Sequence, residues 1–329
     1  LSRLRYLVTM TTASTSSLPQ RHLEASSPFE NSGCFRSNQR RAAALVFVIG
    51  LLAEILFVRA EMPDISSVTP DLTIPPLEEG NATPGKRVRV GDPNGVYHVL
   101  YLPPEWTPER RWPLLVEYAG NGGYRNRFMD ESHGRPEDSR LGYGLSGGRG
   151  AIWLCLPYLS TDASSIRTTW WGDPPYYAVS PTVDYCVKTV ESVCAQYAGD
   201  RDRVVLTGFS RGAIATFFIG LQNDRVAALW RGFFAYSHFD GPRRWPYPDS
   251  DEAAASARFA RAKGRPLFVC GEESNAEQTR LWMETRYESE TVRAITFRST
   301  GFRNHNDAWI LRPSQTRAEA RRWLEQTLQ

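Results

Sequence analysis

Cysteine is scarce, with five residues in a chain of 329. That excludes a dense disulfide scaffold of the kind that holds small exported domains together. Cys34 lies in the leader described below, and Cys186 and Cys194 stand eight positions apart on one expected helix, about 12 Å along its axis and too far to pair. With Cys155 and Cys270, which end apolar strands, these read as small buried thiols, with a single bridge left open. Charge of one sign is also lacking. The formal charge is +3, but seven arginines oppose three glutamates before residue 61, a net +4 that leaves −1 for the rest. A near-neutral body gives no electrostatic case for nucleic acid or an anionic membrane surface as partner. There is no internal repeat, and the length suits one large α/β domain or two small ones.

The apolar run from Ala42 to Val58 has 17 residues, the short limit for a membrane span, and Glu54 inside it adds a cost of about 2 to 3 kcal/mol if buried. A second reading fits it better. Residues 1–35 are Ser/Thr-rich without apolar periodicity, Arg36, Arg40 and Arg41 precede the apolar stretch, and Val58-Arg59-Ala60 offers small residues for cleavage. This is the order of a secretory signal peptide, so residues 1–60 are expected to be a leader and the protein secreted or periplasmic. The segment before the apolar run is long, and Met10 is one candidate start. A membrane is a partner only if the leader stays uncleaved.

Residues 61–85 are Pro- and Ser/Thr-rich and are expected to form a linker or N-terminal arm. The body, 86–329, begins with strands Arg87 to Val90 and Val96 to Leu102 around the turn Asp92-Pro93-Asn94-Gly95. Further strands are expected at Leu114 to Tyr118, Ala151 to Leu156, Val204 to Leu206, Gly232 to Tyr236, Leu267 to Cys270 and Ala294 to Phe297. Val183, Cys186, Val187, Val190, Val193, Cys194 and Tyr197 recur at spacings of three and four, with Ser180 as N-cap and Pro181 opening the helix. Arg317 to Leu328 gives a closing amphipathic helix. The expected fold class is α/β: a mostly parallel sheet with an antiparallel N-terminal hairpin and helices on both faces.

Gly208-Phe209-Ser210-Arg211-Gly212 lies between the run Val204-Val205-Leu206 and the helix former Ala213 to Ile219. Strand, tight turn and helix are the context that turns G-x-S-x-G into a nucleophile elbow, where glycines admit close approach and the serine is held at the sheet edge. Together with Tyr101-Leu102-Pro103-Pro104, the strand running into Gly120-Asn121-Gly122-Gly123, and a histidine near the C-terminus, the chain resembles an α/β-hydrolase of the secreted bacterial esterase kind. It is similar to polyhydroxybutyrate-depolymerase-like and feruloyl-esterase-like proteins over roughly residues 86–329.

A serine nucleophile needs a base, and the base needs an orienting acid. Of five histidines, His305 follows the last expected strand, the place of the catalytic histidine in the resembled family. The family's acid commonly sits three residues beyond a glycine. Here Gly271 is followed by Glu272, Glu273 and Ser274, so the expected place holds a hydroxyl. Glu273, one position earlier with a longer reach, and Asp240 in Ser237-His238-Phe239-Asp240-Gly241 are the two candidates. The oxyanion hole is assigned to the amide of Arg211 and to the loop Gly120, Asn121, Gly122. Loops at the C-terminal sheet edge carry Trp170, Trp171, Asp173, His238 and Trp245 as candidate substrate contacts; the bland alternative is that these rings pack a long lid. No metal or other cofactor is expected. The reading is a serine hydrolase cleaving a small-molecule or glycan-linked ester, aromatic esters included. The alternatives are a serine peptidase on the same fold and an inactive binding protein, the latter motivated by Ser274.

Overall fold

The apolar runs of the sequence become the strands of a nine-stranded sheet. In the computed structural model, which describes residues 62–329, the strands in chain order are β1 (Leu77–Glu78), β2 (Arg87–Gly91), β3 (Tyr97–Tyr101), β4 (Trp112–Tyr118), β5 (Tyr124–Arg125), β6 (Glu131–Ser132), β7 (Ile152–Leu156), β8 (Tyr158–Leu159), β9 (Ile166–Arg167), β10 (Gly199–Phe209), β11 (Gly232–Tyr236), β12 (Leu267–Gly271) and β13 (Ile295–Ser299). The main sheet has the order β1-β2-β3-β7-β4-β10-β11-β12-β13. Only β3 runs against its neighbours, β2 and β7; all other pairings in it are parallel. The pairs β5-β6 and β8-β9 are small separate hairpins.

Period-two alternation divides each strand between two cores. Leu114 and Val116 of β4, with Leu267 and Val269 of β12, face one cluster, while Leu115, Phe268 and Cys270 face the other. The parallel strands β4, β7, β11 and β12 are buried along their whole length, because helices cover both sides. Helices α2 (Ser180–Gln196) and α3 (Arg211–Phe218) close the first cluster; α1 (Leu141–Ser146) and α8 (Gln315–Thr327) close the second. The helices α4 (Asp224–Ala227), α5 (Glu252–Phe259), α6 (Asn275–Glu284) and α7 (Ser289–Arg293) lie between β10 and β13 in sequence. The stripe Val183, Cys186, Val187, Val190, Val193 and Cys194 of α2 is buried as its spacing requires. Ser180 is the first helical residue rather than the cap, which is Val179. Cys155, Cys186, Cys194 and Cys270 are buried and unpaired.

Residues 62–329 form one compact unit. The stretch expected as a linker or arm is extended apart from one 3-10 turn, Ile65–Ser67, and is bound along the body. Ile65 is buried and its N–H donates to Asn304 Oδ1 at 2.8 Å, the N–H groups of Asp71 and Leu72 donate to Leu311 O at 3.2 and 3.3 Å, and β1 pairs with β2. Apolar Leu72, Ile74 and Leu77 rest against the second core cluster, which gives the segment a reason to adhere. The expected leader, with its signal peptide, lies outside the described residues. Among the described residues, no helix is long and apolar enough to cross a membrane.

Candidate active site

The turn between β10 and α3 puts Ser210 at the carboxyl edge of the parallel strands. Its backbone sits at φ 53°, ψ −114°, a region a serine occupies only under constraint, at a cost of about 1 to 3 kcal/mol. The constraint is visible. The Ser210 N–H donates to Tyr236 O on β11 at 2.9 Å, and the two glycines of the motif allow the chain to close. A methyl group at Gly208 would overlap the carbonyl of Gly212, and one at Gly212 would overlap the carbonyl of Tyr118 on β4. The hydroxyl is therefore held by the packing of strand against helix, not by a loop.

His305 lies in the loop after β13, and its Nε2 is 2.9 Å from Ser210 Oγ. On its other side Nδ1 is 2.7 Å from Oε1 of Glu272. The carboxylate at the histidine is thus neither Glu273 nor Asp240. β12 ends at Gly271 and α6 begins at Asn275, so the turn is short, and the first residue after the glycine points inward with a glutamate's reach. Glu273 takes φ 47° and is exposed. Asp240 is buried and bound by Arg258, with Nε at 2.9 Å and Nη2 at 2.8 Å. Burial raises its carboxyl to about 6 against that pairing. Ser274, which prompted the idea of an inactive protein, is no longer at the acid position.

Burial works to raise the Glu272 carboxyl, but the hydrogen bond and charge of His305, with the Ser237 hydroxyl, outweigh it and hold the carboxyl below the usual range. Asn275 Nδ2 and Ser237 Oγ also donate to Oε1, at 2.7 and 3.0 Å. A fixed anion at Nδ1 keeps the Nδ1–H tautomer, leaving Nε2 free to accept the Ser210 proton. The loop carrying His305 is tied by a second carboxylate. Asp130, 1 % exposed, accepts from the His305 N–H at 3.0 Å, from Asn304 Nδ2 at 3.0 Å and from Asn306 Nδ2 at 3.3 Å. Rings of Tyr124 and Phe209 flank the imidazole, each at 4.8 Å between centroids.

Of the glycine-rich loop after β4, Gly122 is already engaged: its N–H donates to Thr168 O at 2.5 Å, so it has no proton for an oxyanion. Gly120 approaches so closely that a Cβ would stand 2.8 Å from the Phe209 ring, and its carbonyl accepts from the Arg211 side chain. Asn121 stands beside Ser210, its Oδ1 3.5 Å from Oγ. Its N–H makes no hydrogen bond among the described residues. The Arg211 N–H, in the first turn of α3, has no carbonyl of its own helix to meet. These two amides are the donors left free beside Ser210, where they could hold a negative oxygen.

The expected substrate contacts divide. Trp171 is fully buried, stacked on Phe218 at 4.6 Å and tilted against Tyr247 at 4.6 Å, and is a core residue. Asp173 braces its own loop through Arg167 and the Thr161 N–H. Trp170, Trp245 and His238 instead form a line of half-buried rings leading to the imidazole. Centroids are 5.2 Å apart from Trp170 to Trp245, 6.1 Å from Trp245 to His238, and 5.5 Å from His238 to His305. Burial, with the neighbouring His305, lowers His238 to about 4, so it is neutral near pH 7. A cleft of about 70 Å³ beside Ser237 and His238 is lined by Phe239, Pro242 and Trp245.

Glu272, Asp130 and Ser237 were not singled out in the sequence. Only Glu272 had a signal, the glycine before it. No protein-family model matches the chain, and no curated protein matches it. Solved structures similar to it include a thermostable esterase (17% identity, 73% of this chain, 62% of that one, TM-score 0.44). This chain thus spans less than two thirds of that protein's length. Others are a thermostable esterase from Pseudomonas putida (14%, 80% and 87%, TM-score 0.45) and a ferulic acid esterase from Anaeromyces mucronatus in complex with ferulic acid (13%, 75% and 94%, TM-score 0.47). Independently of those likenesses, a serine elbow on a mostly parallel sheet, with serine, glutamate and histidine in that chain order, makes the architecture an α/β-hydrolase fold.

Proposed function

We propose that the protein is a serine hydrolase of carboxylic esters working through an acyl-enzyme. The observation that carries this is the unbroken line from Ser210 Oγ to His305 Nε2 at 2.9 Å and from His305 Nδ1 to Glu272 Oε1 at 2.7 Å, set on a constrained elbow. Ser210 Oγ attacks the ester carbonyl while Nε2 takes its proton. The imidazolium, stabilised by Glu272, returns that proton to the alkoxy oxygen as the alcohol leaves. Water, deprotonated by the same nitrogen, then attacks the acyl-serine, and the imidazolium returns that proton to Ser210 Oγ as the acid leaves. In both halves the N–H groups of Arg211 and Asn121 receive the oxyanion.

The line Trp170, Trp245, His238 supports an ester with a flat ring beside the scissile bond, either an aromatic acyl group or a sugar. The test is hydrolysis of 4-nitrophenyl acetate and of methyl ferulate by the parent and by Ser210→Ala. Turnover of both by the parent and loss of at least a thousandfold in the variant is expected; a parent inert to every ester tried, or an equally active variant, refutes the reading. The signal-like leader is the basis for proposing export, checked by the N-terminal sequence of the mature protein: a start near residue 61 agrees, and a retained apolar run contradicts it.

A further inference from the structure

The chemistry above uses the main chain of Arg211 and leaves its side chain without a task. That side chain is 1 % exposed, and its Nε and Nη1 have no hydrogen-bond partner among the described residues. No carboxylate among the described residues balances it; burial lowers its proton affinity, and the opposing influence is the Tyr158 phenol. A cation placed this way is costly to keep and calls for a compensating interaction. Two contacts describe what it touches. Nη2 donates to Gly120 O at 3.2 Å, and the guanidinium lies 3.7 Å above the Tyr158 ring. The Tyr158 hydroxyl donates in turn to Ala119 O at 2.8 Å.

Consecutive carbonyls of the glycine-rich loop are therefore held by two stacked, buried donors. A peptide unit is planar and trans, so fixing the Gly120 C=O fixes the Asn121 N–H on the opposite side. A donor on the carbonyl also polarises the same peptide unit and strengthens its N–H as a donor. The other amide, that of Arg211, belongs to the residue that does the fixing. We propose that the Arg211 side chain is a positioning residue that sets the oxyanion hole, orienting the Asn121 N–H through the Gly120 carbonyl and supplying a buried positive charge that no carboxylate among the described residues neutralises. The inference rests on the serine-hydrolase reading. It confines the cation's benefit to the tetrahedral state, so it acts on kcat rather than on ester binding.

The test compares the parent with Arg211→Met, Arg211→Lys and Tyr158→Phe, each rate normalised to sites titrated with a fluorophosphonate. Arg211→Met keeps the main-chain N–H and the length while losing donors and charge. Its kcat is expected to fall about 10- to 100-fold, short of the full loss of an oxyanion donor, with KM within about threefold. Binding of phenylboronic acid, which forms a tetrahedral adduct on the serine, weakens by a similar factor. Arg211→Lys recovers part of the rate, and Tyr158→Phe loses about three- to tenfold with the same split. A kcat per titrated site within twofold of the parent in Arg211→Met, or a change confined to KM, overturns the proposal. Should Arg211→Met fail to fold, Tyr158→Phe decides: a lowered kcat with weakened boronate binding supports it, and unchanged values overturn it. A parent that is not labelled at all refutes the serine-hydrolase reading instead, which keeps the two failures apart.

Discussion

Changing Glu272 to glutamine removes one charge from the site and little else. Oε1 accepts from His305 Nδ1 and Asn275 Nδ2 at 2.7 Å each and from Ser237 Oγ at 3.0 Å, so a glutamine oxygen can occupy the same point. What it cannot do is carry the anion that stabilises the imidazolium. The hydrogen bond to a charged group contributes about 1.5 to 3 kcal/mol, and loss of the orienting acid in a triad of this geometry costs about 10³- to 10⁴-fold in kcat, or roughly 4 to 5.5 kcal/mol. Steady-state hydrolysis of 4-nitrophenyl acetate reads this directly. Exposed Glu273→Gln is expected within twofold of the parent. Asp240→Asn loses stability, by about 3 to 5 kcal/mol, because Arg258 is left buried without its partner, while kcat per titrated site stays within threefold. The Glu272 carboxyl is held below its usual value, so its stabilisation is present above pH about 4.5 and is lost as the pH falls through the depressed value. The melting-temperature gap between parent and Glu272→Gln therefore closes in acid. A Glu272→Gln enzyme within tenfold of the parent, or a hundredfold loss in Glu273→Gln, refutes the assignment.

Two further outcomes follow from buried carboxylates. Asp130→Asn sets a donor-bearing amide against the N–H groups of His305, Asn304 and Asn306, and is expected to lower stability by about 2 to 4 kcal/mol and kcat about 10- to 100-fold, measured by urea unfolding and titrated-site kinetics. Glu117, wholly buried beneath the N-terminus of α1, is raised to about 7 by burial and by the charge of Asp307, against its N–H donors. A raised group binds its proton more tightly when folded, so its contribution is full below the unfolded value of 4.5 and is lost as the pH climbs through 7, a change of roughly 3 kcal/mol. Taken alone this lowers the melting temperature between about pH 5 and 8, while His98 and His238, both lowered to about 4 by burial, oppose it below pH 6.5. Glu117→Gln should therefore lose less stability, or gain more, than the parent as the pH rises through that range, and parallel curves for the two contradict it. Asp240, raised to about 6, leaves a residual slope of the same sign.

Features of the site that depend on local chain chemistry could be read from the sequence. Gly208 and Gly212 admit the elbow by their lack of a side chain, and His305 follows a strand whose alternation is plain. The acid escaped because its direction is set by the length of the turn between Gly271 and Asn275, which spacing from a glycine does not measure. Asp130 escaped for a different reason: the groups of the His305 loop that it holds lie about 175 positions away, and nothing in Phe128-Met129-Asp130 marks it. Trp171 and Trp170 are neighbours of the same type, yet one stacks on Phe218 in the core and the other lines the route to His305. Composition cannot separate them; only the direction of the strand-loop exit can. The arm at 62–85 reads as a linker because its polar and proline content is that of one. Its attachment comes from Asn304 and Leu311, side chain and carbonyl far along the chain.

The central claim is that Ser210 is a nucleophile raised by His305. Treating the protein with a fluorophosphonate and sequencing its peptides by mass spectrometry tests that claim directly. The account predicts a single adduct on Ser210, formed in step with loss of esterase activity and absent from Ser210→Ala. An unlabelled parent, or an adduct that forms as fast on the Ser210→Ala protein, contradicts it.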